Sequence, residues 1–450
     1  MNYSETINYL FTSAPLFQNV GGDAYKEGLY NTHQLDEHFG RPHSRFKTVH
    51  VAGTNGKGSC SHTLAAILQA SGLKVGLFTS PHLVDFRERI RVNGEMVSEQ
   101  YVVDFVAEHR AFFEPLHPSF FELTTAMAFK YFAEQEVDVA VVEVGLGGRL
   151  DCTNIITPEV CVITNISFDH VMFLGNTLAK IAEEKAGIIK KNIPVVIGET
   201  VEETRPVFEA KAQEMGAPIF FAEEENEIKK HSFNKNNGIN YHTNNYGLIH
   251  AELRGFCQQK NTATILCAVS RLKEHGFRIS NGNVKEGFAH VCEMTGLMGR
   301  WQTLQTEPRV VCDTGHNTGG FQWIVQQLAS ESSKLKRKSS KLKRESSKLN
   351  NVAATLRIVF GMVNDKDISG VLSMMPKEAT YYFCQASVKR ALPHEEIKQK
   401  AAEYDLRGNS YPTVMEAYEA ALNEATKEDF IYVGGSSFVV ADLLVASRKH

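Results

Sequence analysis

The sequence predicts an α/β fold in which mostly parallel, doubly wound sheets form two units. Short β-branched runs alternate with longer segments of helical period, and the runs are too apolar for strands with one solvated face. The alternation occurs on both sides of a polar stretch at 223–250 that is rich in Asn, Lys and His. At roughly 150 residues per domain, a chain of 450 residues has room for two or three domains.

The predicted elements follow this alternation in chain order. Strands of the first unit are expected at 48–52, 75–79, 137–144, 160–166 and 195–197, separated by helices at 59–70, 124–135 and 177–185. The polar stretch predicts turns and short antiparallel strands, and a helix follows it at 261–275. The second unit has predicted strands at 309–312, 356–360, 381–384 and 430–433, with helices that include 319–329 and 395–403. We therefore divide the chain into domains 1–296 and 297–450.

Composition and charge exclude several classes of protein. The 43% hydrophobic and 22% charged residues are typical of a globular chain. With 48 Lys+Arg and 52 Asp+Glu the net charge is −4, which gives no global attraction to nucleic acid or anionic membranes. No uninterrupted apolar run approaches about 18 residues, so no membrane span is predicted. The eight cysteines lack zinc-ribbon spacing, which favours reduced thiols in a cytoplasmic protein.

The segment 332–350 is a basic, low-complexity insertion. Residues 332–349 repeat with a period of seven, as SSKLKRK, SSKLKRE and SSKL. They include eight Lys+Arg and one Glu, a net +7, which leaves 40 basic and 51 acidic residues, a net −11, elsewhere. One leucine per heptad argues against a coiled coil. We predict a solvated insertion between a helix and the next strand; the alternative is a basic tract that binds nucleic acid or lipid.

The strongest local signal is a glycine-rich turn between a strand and a helix, HVAGTNGKGS at 50–59. Glycines allow backbone N–H groups to converge on phosphate oxygens, and the helix N-terminus adds a favourable dipole. A lysine there supplies charge for the β- and γ-phosphates, and a hydroxyl can ligate Mg²⁺. The pattern differs from the common Walker motif, because a glycine separates the lysine from the hydroxyl. It predicts nucleotide binding through Thr54, Asn55, Gly56, Lys57, Gly58 and Ser59.

A second signal is Glu143, which ends a strand that is otherwise apolar. A buried carboxylate is costly unless it is paired or binds a cation, and ligands bind at the carboxyl ends of parallel strands. We predict that Glu143 is a Mg²⁺ ligand beside the phosphate loop, with a buried ion pair as the alternative. His170 follows another strand and Lys185 lies in a helix; neither residue type alone indicates a function.

Six motifs occur in a fixed order along the chain: GTNGKGS at 53–59, SPHL at 80–83, FFELTTAMAF at 120–129, EVGLGGRLDCTN at 143–154, FDH at 168–170 and EKAGIIK at 184–190. Together they resemble the folylpolyglutamate synthase/dihydrofolate synthase family of the Mur ligase superfamily. The match covers essentially the whole chain apart from the basic insertion. It implies a P-loop-containing ATPase domain with a mostly parallel sheet at 1–296 and a smaller, Rossmann-like α/β ligase domain at 297–450.

The resemblance implies an ATP-dependent amide ligase. ATP would phosphorylate a substrate carboxylate, and the amine of L-glutamate would attack the acyl phosphate to give an amide, ADP and phosphate. Lys57, His170 and Lys185 would be catalytic. Ser59 and Glu143 would hold one Mg²⁺, and Glu143, His170 and Lys185 a second, with Lys185 carbamylated because an ammonium cannot ligate a cation. The resemblance also implies a monovalent cation and a monomer.

The family pattern continues into the second half of the chain. The segment DTGHNT at 313–318 resembles the family's DGAHNP and departs from it at Thr314, Gly315 and Thr318. An arginine in the family reaches the phosphates, which suits bidentate recognition. The residues carried over as nucleotide-binding are Gln259, Asn261, Arg300, Asp313, His316 and Asn317.

The folate substrate is expected to contact residues of the first unit. Asp151 and Asn154 match a loop of family members that accept dihydropteroate, so dual activity on dihydropteroate and reduced folates is predicted. For the other three candidates, core packing explains Phe121, and a tight turn explains Ser80 and His82, equally well. The substrate candidates are Ser80, His82, Phe121, Asp151 and Asn154.

Three alternatives remain open at the level of sequence. The first is polyglutamylation alone, and the second is another Mur-type ligase that extends a peptidoglycan precursor. The third is a nucleotide-binding regulator that holds nucleic acid on the basic insertion, which leaves Glu143, His170 and Lys185 unexplained. We expect small-molecule partners, namely ATP, L-glutamate and a pteroate or folate, and neither nucleic acid nor a membrane.

Overall fold

The computed structural model describes residues 1–13, 28–234, 238–345 and 354–447. The chain divides into two units, Met1–Leu297 and Met298–His450, each with its own main β-sheet. Among the described residues, no helix combines the length and the apolar character that a bilayer crossing requires.

Eight strands form the main sheet of the first unit: β1 (Lys47–Ala52), β2 (Val75–Phe78), β3 (Ile90–Val92), β4 (Glu95–Met96), β5 (Val139–Glu143), β6 (Val160–Ile163), β7 (Val195–Ile197) and β8 (Ile219–Phe221). Their order is β4-β3-β2-β5-β1-β6-β7-β8. Strands β2 and β5 to β8 run parallel to β1, and β3 and β4 add an antiparallel edge. The prediction of a mostly parallel sheet is confirmed.

Eleven described helices accompany this sheet: α1 (Tyr3–Ser13), α2 (Tyr30–His38), α3 (Lys57–Ala70), α4 (Glu99–Phe113), α5 (Phe120–Glu134), α6 (Val171–Leu174), α7 (Leu178–Ala186), α8 (Arg205–Met215), α9 (Gln258–Glu274), α10 (Asn281–Ala289) and α11 (Val291–Thr295). Short 3₁₀ turns lie at Pro42–Ser44, Phe86–Arg89, Glu114–Leu116 and Cys152–Ile155.

The two faces of the main sheet carry separate apolar cores. In β5, Val139 and Val141 pack with α3, α9 and α10, whereas Ala140 and Val142 pack with α4 and α5. Successive residues of a strand point to opposite faces, so a strand covered on both sides is apolar throughout. The uninterrupted apolar runs of the sequence are explained by this double cover.

Strand β1 lies at the centre of the sheet, between β5 and β6. Val51 is the register partner of both Glu143 in β5 and Val162 in β6, and Ala52 pairs with Ile163. The three strands therefore end at the same edge, and the loops that follow them begin side by side.

A small antiparallel sheet follows the main sheet in the chain. It contains β9 (Ile228–Phe233), β10 (Ile239–Thr243) and β11 (Leu248–Ala251), in the order β11-β10-β9. Tyr241 and Ile249 are buried in the same core as α3 and α9. The predicted short antiparallel strands at 223–250 are thus confirmed.

The second unit has a six-stranded sheet in the order β12-β13-β17-β14-β15-β16. Strand β12 is antiparallel to β13, and the other neighbours are parallel. The strands are β12 (Gln302–Thr306), β13 (Arg309–Asp313), β14 (Leu356–Phe360), β15 (Thr380–Cys384), β16 (Gly408–Tyr411) and β17 (Phe430–Gly434). The helices are α12 (Thr318–Glu345), α13 (Ile368–Met374), α14 (His394–Ala402), α15 (Val414–Glu424) and α16 (Ser437–Ser447).

The basic insertion differs from its prediction. Helix α12 continues to Glu345, so residues 332–345 extend the helix rather than forming a separate solvated segment. Leu335 packs against the apolar core of the second unit, and the Ser339 hydroxyl accepts a hydrogen bond from the Ala354 N–H at 3.0 Å. The remaining part of the insertion, 346–350, lies outside the described residues. Docking of the first part on the unit explains why the helix persists there.

Helix α5 begins four residues before its predicted start, because a capping box stabilises its first turn. The Ser119 hydroxyl accepts from the Glu122 N–H at 3.2 Å, and the Glu122 carboxylate accepts from the Ser119 N–H at 2.6 Å. This reciprocal pair satisfies two N–H groups that a helix start leaves without partners.

Candidate active site

The loop between β1 and α3 has a backbone that favours glycine. Gly53 and Gly56 have φ angles of 143° and 86°, in the region where a side chain is strained. A Cβ on Gly53 would lie 1.9 Å from Thr164 Oγ1, and one on Gly56 would lie 2.4 Å from Asn261 Oδ1. The two glycines therefore allow the loop to approach the end of β6 and the first turn of α9.

The loop is also fixed by hydrogen bonds to the segment that follows β6. The N–H of Thr54 donates to the Asn165 carbonyl at 3.0 Å, and the N–H of Asn55 donates to Asn165 Oδ1 at 2.9 Å. The Thr164 hydroxyl donates to the Asn55 carbonyl at 2.6 Å, and Asn55 Nδ2 donates to the Ser167 hydroxyl at 3.1 Å. Strand β6 ends before these residues, at Ile163 and not at 166 as predicted, because they bind the loop instead.

Lys57 and Ser59 lie in the first turn of α3. Lys57 Nζ donates to the carbonyls of Gly53 and Thr54 at 3.0 and 3.2 Å, so the ammonium lies over the loop. The Ser59 side chain is buried, and its hydroxyl accepts from Gln258 Nε2 at 3.3 Å. An ammonium, a hydroxyl and a helix N-terminus within one turn can together bind the phosphates of a nucleotide.

The glutamine beside Ser59 is not the one that the resemblance selected. Gln258 is buried and accepts from Asn261 Nδ2 at 2.9 Å, whereas Gln259 is exposed. Residues three apart on a helix share a face, and residues two apart do not. The helical spacing of Gln258 and Asn261 was therefore the available signal for this pair, and contact of Gln259 with nucleotide stays a prediction.

Glu143 lies at the end of β5 and is only 3% exposed. Its Oε2 accepts a hydrogen bond from the N–H of Ser80 at 3.2 Å. Its register partner Val51 is two residues before the loop. The structure thus places a buried carboxylate beside the phosphate loop, and its role as a metal ligand stays a prediction.

Lys185 lies in α7 and is also 3% exposed. Burial, which disfavours an ammonium, is the main cause that lowers the pKa of Lys185 to about 7. The positive charge of Lys57 acts in the same direction, and the carboxylates of Asp169, Asp151 and Glu184 oppose it. The charges that act on this ammonium thus include one from the phosphate loop and one from the segment after β6.

His170 follows β6 and precedes α6, with a left-handed backbone at φ 49°. Its Nε2 is 3.8 Å from Asp169 Oδ1, and its backbone N–H donates to the same oxygen at 2.9 Å. Asp169 therefore contacts His170, and its negative charge opposes the lowering of the Lys185 pKa, although no sequence pattern singled it out. The available signal was its position in the FDH motif at 168–170.

The predicted substrate residues Asp151 and Asn154 hold the glycine-rich loop that follows β5. Asp151 Oδ2 accepts from the Leu146 N–H at 2.8 Å, and burial raises the pKa of this carboxyl. Asn154 Nδ2 donates to the carbonyls of Arg149 and Gly187, both at 3.0 Å. These contacts connect the loop to the end of α7, and direct contact of either residue with substrate stays a prediction.

The predicted substrate residue His82 contacts a buried arginine that no sequence motif indicated. Arg89 is 3% exposed, its Nε donates to His82 Nδ1 at 2.8 Å, and its guanidinium lies 5.2 Å from the centre of the Phe120 ring. Burial lowers the pKa of His82 to about 3 and that of Arg89 to about 10. At neutral pH the imidazole is therefore uncharged and the guanidinium charged. An arginine beside a turn gave no periodic or motif signal.

Phe121 lies at the start of α5, where it covers the beginning of the glycine-rich loop after β5. A Cβ on Gly145 would lie 2.5 Å from Phe121 Cζ, and the ring centre is 5.7 Å from that of Phe78. The close contact explains why the chain has glycine immediately after Val144. Phe121 thus packs on the loop, and its contact with substrate stays a prediction.

In the second unit, Asp313 organises the turn that carries Arg300. The Asp313 carboxylate accepts from the N–H groups of Trp301 and Gly315, at 2.7 and 2.8 Å. Burial raises the pKa of this carboxyl, and the positive charge of Arg300 opposes the shift. The Arg300 guanidinium donates to the hydroxyl of Thr314, one of the positions where the chain departs from the family motif.

The other two second-unit candidates lie at the start of α12. His316 Nδ1 is 3.1 Å from the Thr314 carbonyl. Asn317 Oδ1 accepts from the Gly320 N–H at 2.8 Å, so Asn317 caps the helix. The predicted residues of this unit are therefore neighbours, and their contact with nucleotide stays a prediction.

The side-chain oxygens near the phosphate loop suit a cation that also keeps phosphate oxygens and water among its ligands. Among the described residues, no three His, Cys, Asp or Glu side chains are arranged to hold a metal by themselves. Mg²⁺ in proteins is usually bound by one or two side-chain oxygens together with phosphate oxygens and water. The Ser59 hydroxyl and the buried Glu143 carboxylate fit that mode, and a closed zinc-type site does not.

The chain is similar to one known protein family and to curated proteins of two bacteria. The Mur ligase middle domain family matches residues 51–269. The dihydrofolate synthase/folylpolyglutamate synthase of Escherichia coli is 32% identical over 398 residues, which cover 88% of this chain and 85% of that protein. The folylpolyglutamate synthase of Lacticaseibacillus casei is 30% identical over 449 residues and covers 96% of both.

Two solved structures are similar to this chain over its full length. Escherichia coli FolC in complex with DHPP and ADP has a TM-score of 0.81 at 28% identity, with 100% of this chain and 99% of that chain covered. A bifunctional folylpolyglutamate synthase/dihydrofolate synthase with Mn, AMPPNP and L-glutamate bound has a TM-score of 0.78 at 27% identity, with 100% and 98% covered.

Proposed function

Because the chain belongs to the folylpolyglutamate synthase/dihydrofolate synthase family, we propose that it joins L-glutamate to dihydropteroate and to tetrahydrofolate in an ATP-dependent, ADP-forming reaction. The substrate carboxylate attacks the γ-phosphorus of ATP and displaces ADP, which gives an acyl phosphate. The glutamate amine then attacks the acyl carbon, displaces phosphate and loses a proton as the amide forms.

The observation that most supports this proposal is the common edge of β1 and β5. Val51 and Glu143 are register partners, so the phosphate loop and a buried carboxylate leave the sheet next to each other. An acyl-phosphate ligase needs these elements together, because its catalysis is mainly positioning and neutralisation of phosphate charge.

The phosphate loop would act through groups that the structure already orients. Hydrogen bonds to Asn165 and from Thr164 hold the loop backbone, so little further ordering should accompany nucleotide binding. Lys57 Nζ would exchange its two carbonyl acceptors for phosphate oxygens, which are better partners for an ammonium. The same charge would stabilise the phosphoryl group during transfer.

Ser59 and Glu143 would hold a divalent cation at the nucleotide phosphates, in keeping with their oxygen donors and burial. When bound, Mg²⁺ neutralises phosphate charge in the site. His170, Asp169 and Lys185 would form the edge of the site nearer the acyl phosphate, where the amine of glutamate arrives.

Carbamylation of Lys185 by CO₂ would resolve an electrostatic conflict. A buried ammonium near the Lys57 ammonium loses hydration and is repelled, which disfavours that form. A carbamate is anionic, so it would attract Lys57 and offer oxygen ligands to a second cation together with Glu143 and His170.

Four residues of the second unit are also proposed to bind nucleotide. We assign phosphate recognition to the guanidinium of Arg300, which Asp313 supports through the Trp301 N–H. His316 and Asn317 follow in the same segment. In an assay at limiting ATP, Arg300→Ala should raise the KM for ATP more than the KM for glutamate.

Substrate choice is tested by assaying ADP release with a matrix of substrates. Dihydropteroate and tetrahydrofolate are each supplied with and without L-glutamate, and products are identified by mass. ADP release that requires glutamate with each of the two substrates supports dual activity. Product formed from tetrahydrofolate but not from dihydropteroate reduces the proposal to polyglutamylation, the named activity of the Lacticaseibacillus casei relative. Product from neither would contradict the proposed function.

Three further properties complete the proposal. None of the eight cysteines, all of which lie in the described part of the chain, forms a disulfide bond, which suits a reducing cytoplasm. A monomer and dependence on a monovalent cation follow from the family resemblance. Light scattering of the purified chain tests whether it is a monomer. Replacement of K⁺ by a bulky organic cation in the ligase assay tests the dependence on a monovalent cation.

A further inference from the structure

We propose that Glu199 is a positioning residue of the phosphate loop and that it acts through the side-chain amide of Asn165. The inference rests on the proposed function only in that the loop binds a nucleotide. Glu199 follows β7, and none of the motifs that carry the family resemblance includes it.

Asn165 binds two backbone amides of the phosphate loop next to the end of β6. Its backbone carbonyl accepts from the Thr54 N–H at 3.0 Å, and its Oδ1 accepts from the Asn55 N–H at 2.9 Å. Two successive loop amides are therefore fixed by one residue. Any change in the direction of the Asn165 side chain would move the part of the loop that faces the phosphates.

Glu199 specifies which way the Asn165 amide points. With Oδ1 directed to Asn55, the amide nitrogen faces away from the loop, and Nδ2 donates to Glu199 Oε1 at 3.4 Å. A carboxylate has no N–H to donate, so only the nitrogen of the amide is a suitable partner for it. The flipped amide would place its NH₂ against the Asn55 N–H and its oxygen against the carboxylate, which are two repulsive contacts.

The backbone around Glu199 is held firmly enough for this role. Its N–H donates to the Thr164 carbonyl at 2.9 Å. A Cβ on the preceding Gly198 would lie 2.3 Å from the same carbonyl, so the ends of β7 and β6 are in close contact.

The charge of the Glu199 side chain is set by two opposing effects. Burial raises the pKa of Glu199, and the ammonium of Lys260 opposes this shift and favours the ionised form.

The test compares four variants by ADP binding in a calorimeter and by the KM values for ATP and glutamate. Glu199→Ala leaves the Asn165 amide without its partner and should weaken ADP binding about tenfold, the effect of one hydrogen bond to a charged group. Glu199→Gln keeps an acceptor oxygen and should remain within about threefold of wild type.

Asn165→Asp should bind ADP most weakly, because two carboxylates then face each other. Adding Glu199→Gln to it should restore much of the affinity, because the glutamine nitrogen can donate to the new carboxylate. The exposed Glu202, three residues further along the chain, provides the matched control through Glu202→Ala, which should not change ADP binding.

The KM for glutamate should stay within about twofold of wild type in every Glu199 variant, because only the nucleotide loop is displaced. Unchanged ADP affinity in Glu199→Ala, or no recovery in the double variant, would overturn the proposal. Because ADP binding does not require ligation, failure of the proposed function would appear separately, as wild-type protein that binds ADP but makes no amide.

Discussion

Val51 and Glu143 are register partners in adjacent parallel strands, and this pairing places the phosphate loop beside a buried carboxylate. Val51 lies two residues before Gly53, where the loop begins, and Glu143 is the last residue of β5. Because β6 ends at the same edge, its following residues reach the loop as well. The site thus depends on where three strands end, which is a property of the sheet as a whole.

Replacement of Lys57 by alanine should lower kcat/KM for ATP by about 100-fold, because a charged donor to phosphate is lost. Steady-state kinetics at saturating glutamate measures this. Lys47→Ala is the control: Lys47 starts β1 on the surface, 3.6 Å from Glu159, and such pairs contribute little. Equal activity of both variants would contradict the role of Lys57.

Replacement of Lys185 by alanine should abolish ligation, since the anionic ligand that its carbamate would supply is removed. A short carboxylic acid such as acetate added to the assay should restore part of the activity by taking the same place. Lys180→Ala, on the exposed side of the same helix, should behave as wild type. Full activity of Lys185→Ala without added acid would contradict carbamylation.

Gly56→Ala should reduce both stability and nucleotide binding. Gly72 offers a matched comparison, because its φ angle is also 86° but its Cβ would meet nothing within 4 Å. Gly72→Ala should therefore cost only the left-handed strain, about 1 kcal/mol in urea unfolding. Gly56→Ala adds a clash with Asn261, so its loss should be larger and ADP affinity should fall. Equal losses in the two variants would show that the contact with Asn261 is unimportant.

His50 should make the fold sensitive to acid. It is fully buried, its Nε2 lies 2.8 Å from Thr153 Oγ1, and burial lowers its pKa to about 3. An unfolded histidine titrates near pH 6.5, so below that pH the unfolded state binds the extra proton and the free energy of unfolding falls. The expected contribution is about 2 kcal/mol between pH 7 and pH 5.

Urea unfolding of His50→Gln at these two pH values tests this contribution. The variant should lose less stability than wild type on acidification, whatever its stability at pH 7. His33→Gln, at an exposed position, should keep the wild-type pH dependence. If His50→Gln shows the full acid sensitivity, the buried imidazole is not its source.

Much of the fold was predictable because double burial leaves a simple pattern. Val139–Glu143 is apolar up to a single carboxylate, which identified a central strand and the buried carboxylate at its end. The glycines at 53 and 56 were equally informative, since their close contacts exclude any Cβ. In these cases one physical constraint determines the residue type.

Other features depend on contacts distant in sequence, and local pattern does not contain them. Arg89 becomes a buried cation only because His82 and Phe120 pack around it. Glu199 is an ordinary surface-type residue until the sheet brings it to Asn165. The continuation of α12 through a polar repeat likewise depends on packing of Leu335 against the core.

The most direct test of the central claim follows oxygen from the substrate carboxylate. Dihydropteroate is labelled with a heavy oxygen isotope in its carboxylate and incubated with the protein, ATP, Mg²⁺ and L-glutamate. An acyl-phosphate ligase transfers one labelled oxygen to inorganic phosphate for each amide formed, and phosphate mass analysis should show this stoichiometry. Amide formation with unlabelled phosphate would contradict the mechanism, and ADP release without amide would contradict the ligase function itself.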